Sequence, residues 1–140
     1  MCNSWIDAAK LLDFNLNISS PPGYEPKNVG ESDNTKFFST PNAAVHNADL
    51  VTTDVWASMG FEEETTLRKQ AFQKWQVNKN LMSQASKNAI FMHCLPAHRE
   101  EEVTSEVIDG DQSVVWDEAE NRLHVQKALM ETLLLGPFKS

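Results

Sequence analysis

A thiol and an imidazole stand side by side at the end of an apolar run. The run from Ala89 to Met92 predicts a short buried strand, and His93, Cys94, Leu95 and Pro96 follow it directly. Open α/β sheets build their ligand crevices at such strand ends. Proline fixes its own φ and restricts the residue before it, so the backbone is constrained just after the thiol. These residue types indicate a reactive or ligand-binding corner.

Two further polar groups follow predicted strands. Asp54 ends one of them and precedes Ser58 and Met59, while Arg122 follows another, Ser113–Trp116. Because the carboxyl ends of parallel strands share one edge of a sheet, we expect both groups to converge with the His-Cys corner.

Each of these residues also has a purely structural interpretation. Asp54, taken as an isolated residue, is more typical of a cap on the turn that follows it. Cys94 fits an inert buried thiol, the usual state of a lone cysteine. Arg122 fits a solvated helix residue paired with Glu118, a contact that stabilises little. The pattern alone leaves these interpretations open.

The His-Cys corner also raises the question of a metal or of covalent catalysis. His93, Cys94 and His98 cluster, but adjacent residues on extended backbone point apart and no second ligand pair with zinc-like spacing follows. We therefore predict no metal site and no cofactor. Cys94 as a covalent nucleophile with a histidine base is the other hypothesis, and the opposed directions of adjacent side chains disfavour His93 as that base.

The length and the charge of the chain limit which classes of protein and which partners are possible. The 140 residues fit one domain, and the net charge is −8 with acidic residues scattered along the chain. Such a chain repels nucleic acid and anionic membrane, so we expect neither as a partner. No apolar run is long enough to span a bilayer, and two cysteines make no disulfide framework. We expect a cytoplasmic protein without a signal peptide.

Helical and strand patterns alternate along the chain. Helices are predicted over 3–12, 40–48, 62–75, 79–86 and 103–108, and from 117 onward. Strands are predicted over 14–18, 36–39, 49–54, 89–92 and 113–116. This alternation argues for an α/β fold, a doubly wound and mostly parallel sheet with helices on both faces, as in Rossmann-like domains.

Three helix starts carry capping signals. Asn3-Ser4 precedes the first helix, Thr40-Pro41 the second, and Asp117 the last, with Glu120 in capping-box spacing. The short helix that ends at Ile108 is expected to close at Gly110.

Five motifs in order along the chain resemble the ornithine carbamoyltransferase family. They are Met1 to Trp5, Pro22 to Pro26, Thr53 to Gly60 with the three glutamates after it, His93 to Arg99 with Glu101 to Thr104, and Trp116 to Arg122. The similarity extends nearly from end to end of the chain. The Ser-Met-Gly and His-Cys-Leu-Pro pair resembles the ornithine enzymes rather than the related aspartate enzymes.

The resemblance implies transfer of a carbamoyl group from carbamoyl phosphate to the δ-amine of ornithine, which gives citrulline and phosphate. Asp54, Ser58 and Met59 would hold ornithine, since a carboxylate suits an ammonium. Cys94 and Leu95 would lie at the carbamoyl group, with Cys94 as a thiolate that orients and deprotonates the amine without covalent attack.

The resemblance also implies the remaining roles and the assembly. Arg122 would bind carbamoyl phosphate, because a guanidinium suits oxyanions. His93 and Pro96 would support the corner, with Leu95-Pro96 as a cis peptide. The family implies a homotrimer.

Only the second half of the family's chain is matched. The sequence has no counterpart of the family's Ser-Thr-Arg-Thr phosphate loop or its His-x-x-Gln motif. We therefore expect residues 1–140 to be an incomplete ornithine-binding domain that lacks the carbamoyl-phosphate-binding domain, the first strand of this domain and an ornithine-binding asparagine. We also expect Leu129, Leu133 and Leu134 to be partly uncovered, because their helix reaches towards the other domain in the family.

These expectations lead to three functional hypotheses. The first is a carbamoyltransferase half with negligible activity when isolated. The second is a non-catalytic binding or assembly module that complements a separate carbamoyl-phosphate-binding polypeptide. The third is an unrelated cysteine-dependent hydrolase that reacts through Cys94. A smaller departure from the family is Glu100, where many relatives have glycine, and we expect it to stiffen its loop.

Overall fold

The computed structural model describes residues 1–27, 34–57 and 62–136, with the backbone alone at 62–64. Helices and strands alternate through these ranges. In chain order they are α1 (Cys2–Leu12), β1 (Leu16–Ser19), β2 (Thr35–Phe38), α2 (Pro41–Val45), β3 (Leu50–Thr53), α3 (Glu62–Phe72), α4 (Lys79–Met82), β4 (Ile90–His93), α5 (Ser105–Ile108) and α6 (Val115–Leu135). A 3₁₀ turn, Gln73–Trp75, extends α3.

The four strands form two parallel pairs. β1 pairs with β2, with Leu16 opposite Thr35. β3 pairs with β4, and its last residue, Thr53, lies opposite His93. Parallel neighbours need a crossover connection, and the one between β3 and β4 contains α3 and α4. α2 follows β2 in the chain and packs on β1 and β2. The predicted α/β fold with parallel strands is confirmed, although the strands of the described residues form two sheets instead of one.

The main core lies on the β3–β4 side of the molecule. Phe91, Val103 and Val115 are completely shielded from solvent there, and side chains from α2, α4 and α5 pack around them. A smaller buried group in the other half consists of Ile6, Ala9 and Thr35. Each strand pair therefore has its own buried face.

An open cleft separates β1 from β3. It has a volume of about 1110 Å³ and is lined by both strands and by the end of α2. β1 has β2 on one side and β3 has β4 on one side, and no other strand of the described residues pairs with either of them. We call this space the inter-sheet cleft.

Only one of the three predicted helix caps is confirmed. The Thr40 hydroxyl accepts a hydrogen bond from Ala43 N–H at 3.4 Å, with Pro41 as the first helical residue. The Asn3-Ser4 cap is wrong, because α1 already begins at Cys2. The capping box at Asp117 is also wrong, because α6 begins two residues earlier and Val114, its N-cap, offers no side-chain cap.

The strand predicted over 113–116 is wrong for the same reason. Ser113 forms a single bridge to Phe91, and the next residues enter α6. Val115 is fully buried. A short apolar run does not distinguish a buried strand from the buried first turn of a helix, and here it belongs to the helix.

The outer face of α6 is apolar and exposed. The exposed fractions of Leu129, Leu133 and Leu134 are 56%, 75% and 82%, which confirms the expected exposure. Across residues 1–27, 34–57 and 62–136, no helix combines the length and the apolar character that a membrane crossing requires.

Candidate active site

The register of β3 and β4 brings Asp54 and Cys94 together. Since Thr53 lies opposite His93, the next residue of each strand leaves the sheet at the same edge. The Cys94 Sγ lies 3.5 Å from Asp54 Oδ1, within hydrogen-bonding distance for sulfur. The same Oδ1 accepts a hydrogen bond from Val55 N–H at 2.8 Å. Asp54 therefore makes the local turn contact of its structural interpretation and also faces the thiol.

The surroundings of Cys94 keep its thiol protonated. Partial burial raises the pKa of Cys94 above its ordinary value of 9.0, and the charges of Asp54 and Glu118 raise it further. A thiol with a raised pKa is neutral near pH 7. The family resemblance implied a thiolate at Cys94, whereas in this structure the Sγ donates to Asp54 as a thiol.

The backbone turns sharply after Cys94. Leu95-Pro96 is a cis peptide, as the resemblance implied, and Leu95 has φ of +51°. Left-handed backbone costs a leucine free energy, because its Cβ approaches the following carbonyl oxygen. Leu95 N–H donates to His93 Nδ1 at 2.9 Å, which ties this residue to the imidazole two positions earlier.

The imidazole of His93 points into the protein, away from a role as base for Cys94. Both His93 and Glu102 are 0% exposed, and His93 Nε2 lies 3.3 Å from Glu102 Oε1. The other candidate base, His98, has an exposed side chain, and its backbone N–H donates to Glu102 Oε1 at 2.6 Å. The geometry gives no support to a Cys-His nucleophilic pair.

Arg122 lies on the first half of α6, on the same side of the molecule as the turn. A second cleft of about 780 Å³ is lined by Arg122 together with Cys94, Leu95 and Pro96. Asp54 instead lines the inter-sheet cleft. The Asp54–Cys94 contact thus lies where the two clefts approach each other. The predicted residues Ser58 and Met59 lie outside the described residues.

An aromatic cluster packs beside the chain that follows Asp54. Trp56 is almost fully buried and stacks on Phe72, with ring centroids 6.2 Å apart. Tyr24 meets the same Phe72 edge-on at 5.0 Å, and the Arg68 guanidinium lies 5.4 Å from the centre of the Tyr24 ring. These contacts connect α3 with the segments before and after β3.

Two carboxylates at the site were not identified as functional from the sequence. Glu118 was considered only as a partner of Arg122, whereas its Oε2 accepts a hydrogen bond from His93 N–H at 2.9 Å. Glu102 is buried against His93 and carries the contact to His98. Glu102 lay inside one of the motifs that resemble the family, but no periodicity marks a glutamate as buried.

The described parts of the chain were predicted to hold no metal, and their side chains form no recognisable metal-binding site. There, no group of three or more His, Cys, Asp or Glu side chains is arranged to hold an ion. The polar groups at the corner instead bond to one another and to backbone N–H groups. The arrangement is suited to binding a polar, cationic group beside Asp54 and an anionic group near Arg122.

Comparison with known proteins agrees with this geometry. Residues 1–133 match the model of the Asp/Orn-binding domain of aspartate/ornithine carbamoyltransferases. The ornithine carbamoyltransferase of Methylobacillus flagellatus is 61% identical over 97% of this chain and 46% of its own length. That of Azoarcus sp. is 62% identical over 97% of this chain and 45% of its own length.

Solved structures give the same relationship. The crystal structure of the Burkholderia thailandensis ornithine carbamoyltransferase superimposes with a TM-score of 0.84 at 56% identity, over 96% of this chain and 43% of that protein. The chain spans about half the length of the curated relatives it matches. On the strength of its five motifs, its parallel α/β fold and these matches, the chain belongs to the aspartate/ornithine carbamoyltransferase family.

Proposed function

We propose that this chain supplies the ornithine side of a carbamoyltransferase that makes citrulline and phosphate from ornithine and carbamoyl phosphate. The observation that carries the proposal is the 3.5 Å contact between Cys94 Sγ and Asp54 Oδ1 at the shared end of β3 and β4. It joins two of the family-like motifs, from distant parts of the sequence, at one sheet edge where ligands bind in open α/β folds.

The proposed reaction is a simple group transfer. The δ-ammonium of ornithine first releases a proton to water, and the lone pair of the resulting amine forms a bond to the carbonyl carbon of carbamoyl phosphate. The bond from that carbon to the phosphate oxygen breaks, and phosphate leaves with the electron pair. The proton that the nitrogen releases passes to the departing phosphate. Neither a metal nor a redox cofactor is needed for this balance.

The described residues fit distinct parts of this reaction. Asp54 holds the α-ammonium of ornithine, the amino group that does not react, since a carboxylate and an ammonium form a charge-assisted hydrogen bond. Ser58 and Met59, outside the described residues, add further contacts to ornithine as the family resemblance implies. Cys94 is a neutral thiol that orients the amine.

The carbamoyl phosphate side has its own group of residues. Leu95 offers its backbone near the carbamoyl group, and Arg122 offers a guanidinium to the phosphate. His93 and Pro96 support the corner. The shared lining of the second cleft by Cys94, Leu95, Pro96 and Arg122 supports this division.

We further propose that residues 1–140 are an incomplete ornithine-binding domain, completed by a segment outside this sequence. The inter-sheet cleft supports this, because it lies between β1 and β3, each of which has one sheet edge without a partner among the described strands. An extended segment that runs parallel to both would join the two pairs into one sheet and satisfy their free backbone groups. The complementary part of the family's chain, with its carbamoyl-phosphate-binding domain, is the proposed source.

Complementation tests this proposal directly. The chain is assayed for citrulline alone and after co-expression with the part of the Methylobacillus flagellatus enzyme that it does not match. We expect negligible turnover from the chain alone and citrulline formation by the pair, lost when Cys94→Ser is introduced. Turnover by the isolated chain near that of a full-length relative would overturn the proposal.

A second candidate function is a non-catalytic assembly module. The exposed apolar face of α6, with Leu129, Leu133 and Leu134, favours it, because such a face is typical of a protein contact. The same co-expression separates the two functions. Association without citrulline formation would identify the module.

The proposed setting follows the family resemblance. We propose a cytoplasmic protein and a homotrimeric assembly once the chain is completed. Light scattering on the co-expressed complex, with a mass of three copies of each part expected, tests the assembly.

A further inference from the structure

The buried pair formed by His93 and Glu102 has no role in the reaction as proposed above. Both side chains are 0% exposed. An ionised group is rarely buried unless other groups compensate its charge. The pair lies on the buried side of the turn that carries Cys94 and has contacts to both ends of that turn.

The first contact determines the form of the imidazole. His93 Nδ1 accepts a hydrogen bond from Leu95 N–H at 2.9 Å, so Nδ1 carries no proton. The proton of the neutral ring then lies on Nε2, and this atom is 3.3 Å from Glu102 Oε1. The ring thus faces the carboxylate with its N–H.

The second contact involves the carboxylate. Glu102 Oε1 accepts a hydrogen bond from His98 N–H at 2.6 Å. Burial by itself raises the pKa of Glu102, but the contacts from His93 and His98 N–H outweigh burial and lower the pKa below 4.5. Glu102 is therefore an anion that holds the far end of the turn.

Together these contacts fix the turn at both ends. His93 holds Leu95 in its left-handed conformation just after Cys94, and Glu102 holds His98 three residues later. The carboxylate of Glu118 additionally accepts from His93 N–H just before Cys94. Strained backbone persists only where surrounding contacts determine it, and these contacts do so here.

We propose that His93 and Glu102 are positioning residues. They fix the turn from Leu95 to His98 on its buried side, and in this way they hold the Cys94 thiol against Asp54. Neither contacts the thiol, so they act through the backbone. The inference rests on the proposed function for the catalytic use of the thiol, but its geometry is testable without either substrate.

The test is the rate at which iodoacetamide alkylates Cys94 as a function of pH, in a Cys2→Ser background that leaves one thiol. In Glu102→Ala the turn is released, so the thiol leaves Asp54 and its pKa falls. We expect alkylation at pH 7 to be at least about threefold faster. Glu102→Gln retains an oxygen that accepts from His98 N–H and lies near His93 Nε2, and we expect it to keep the parent profile.

A matched variant separates positioning from general loosening of the domain. Ile6→Ala removes buried volume on α1, outside the core cluster against which Leu95 and Ala97 pack, and we expect an unchanged pH profile. An equal shift in Ile6→Ala and Glu102→Ala would overturn the proposal, as would an unchanged Glu102→Ala. A change in the pH profile of alkylation as large in Glu102→Gln as in Glu102→Ala would also overturn the proposal. The charge of Glu102, and not the hydrogen-bond geometry of the turn, would then control the reactivity of Cys94.

A second measurement decides the matter if Glu102→Ala does not fold. Nitrogen NMR shifts of the His93 ring in the Cys2→Ser chain report which nitrogen carries the proton. We expect Nε2–H. A proton on Nδ1 would exclude the bond from Leu95 and contradict the proposal. Because no substrate is present, these outcomes do not depend on whether the chain supports carbamoyl transfer.

Discussion

The thiol of Cys94 lies 3.5 Å from the carboxylate of Asp54, although 40 positions separate the two residues in the chain. The parallel register of β3 and β4 brings them together, because Thr53, the last residue of β3, lies opposite His93, the last residue of β4. The carboxylate raises the pKa of the thiol, second to burial, and so keeps it a hydrogen-bond donor.

Removal of the Asp54 charge should therefore activate the thiol. In the Cys2→Ser background, Asp54→Asn is expected to speed alkylation of Cys94 at pH 7 about twofold to threefold, since the thiol pKa falls while burial still raises it. Asp49→Asn is the control, because Asp49 is exposed and precedes the opposite end of β3. Equal alkylation rates of Cys94 in Asp54→Asn and in the parent would contradict the contact between Asp54 and Cys94.

Much of this corner was predictable from the sequence. The apolar runs before Asp54 and Cys94 identified two strands, and the alternation with helices identified their parallel direction. Those two inferences are enough to place Asp54 and Cys94 at one edge. The strand limits shifted by one or two residues, which does not alter the edge.

Other features were not predictable. The boundary between Ser113 and α6 was missed, because a short apolar run fits a strand or a buried helical turn equally well. Glu102 was missed as a buried anion, because its burial depends on a contact with His93 that only the folded turn creates. Glu100 has a left-handed φ of +65°, a conformation that favours glycine, the residue that the family resemblance implied at this position.

The lowered pKa of Glu102 predicts an acid-sensitive contribution to stability. A carboxyl group whose pKa is lowered by folding stabilises the folded state fully above its unfolded pKa, near 4.5, and loses this effect as pH falls through the folded pKa. At pH 7 we expect Glu102→Gln to unfold with about 1 kcal/mol less free energy than the parent, because charge-assisted hydrogen bonds become neutral. The difference in unfolding free energy between Glu102→Gln and the parent should become smaller below pH 4.5.

Urea unfolding at pH 7 and at pH 3.5 measures this change. Glu106→Gln is the control, since Glu106 forms an exposed pair with Lys79 that solvent screens. If the difference in unfolding free energy between Glu102→Gln and the parent stays constant or grows towards low pH, Glu102 is not an anion in the folded chain.

The aromatic cluster is predicted to stabilise the half of the molecule around Asp54. Phe72→Ala removes the ring that contacts both Trp56 and Tyr24, and we expect a loss of about 2–3 kcal/mol in the free energy of unfolding. Leu67→Ala, on the same helix but 64% exposed, is expected to change it by less than about 0.5 kcal/mol. Equal losses in the two variants would argue against the cluster.

The exposed face of α6 is predicted to promote self-association of the isolated chain. Replacement of Leu129, Leu133 and Leu134 by lysine removes the apolar patch, and we expect the weight-average mass to become independent of concentration in sedimentation equilibrium. A charge-matched control makes the same three-unit change elsewhere on α6 with Asp117→Asn, Glu120→Gln and Glu131→Gln. Loss of association in the control as well would attribute the effect to net charge.

The most direct test of the central proposal is turnover by a chimera. Residues 1–140 replace the matching segment of the Methylobacillus flagellatus ornithine carbamoyltransferase, so that the proposed ornithine half works in a complete enzyme. Citrulline formation from ornithine and carbamoyl phosphate is measured with and without Asp54→Asn. We predict turnover within about tenfold of the relative, and a loss of about 100-fold or more with Asp54→Asn. A folded chimera without turnover, or one that Asp54→Asn leaves unchanged, would contradict the account.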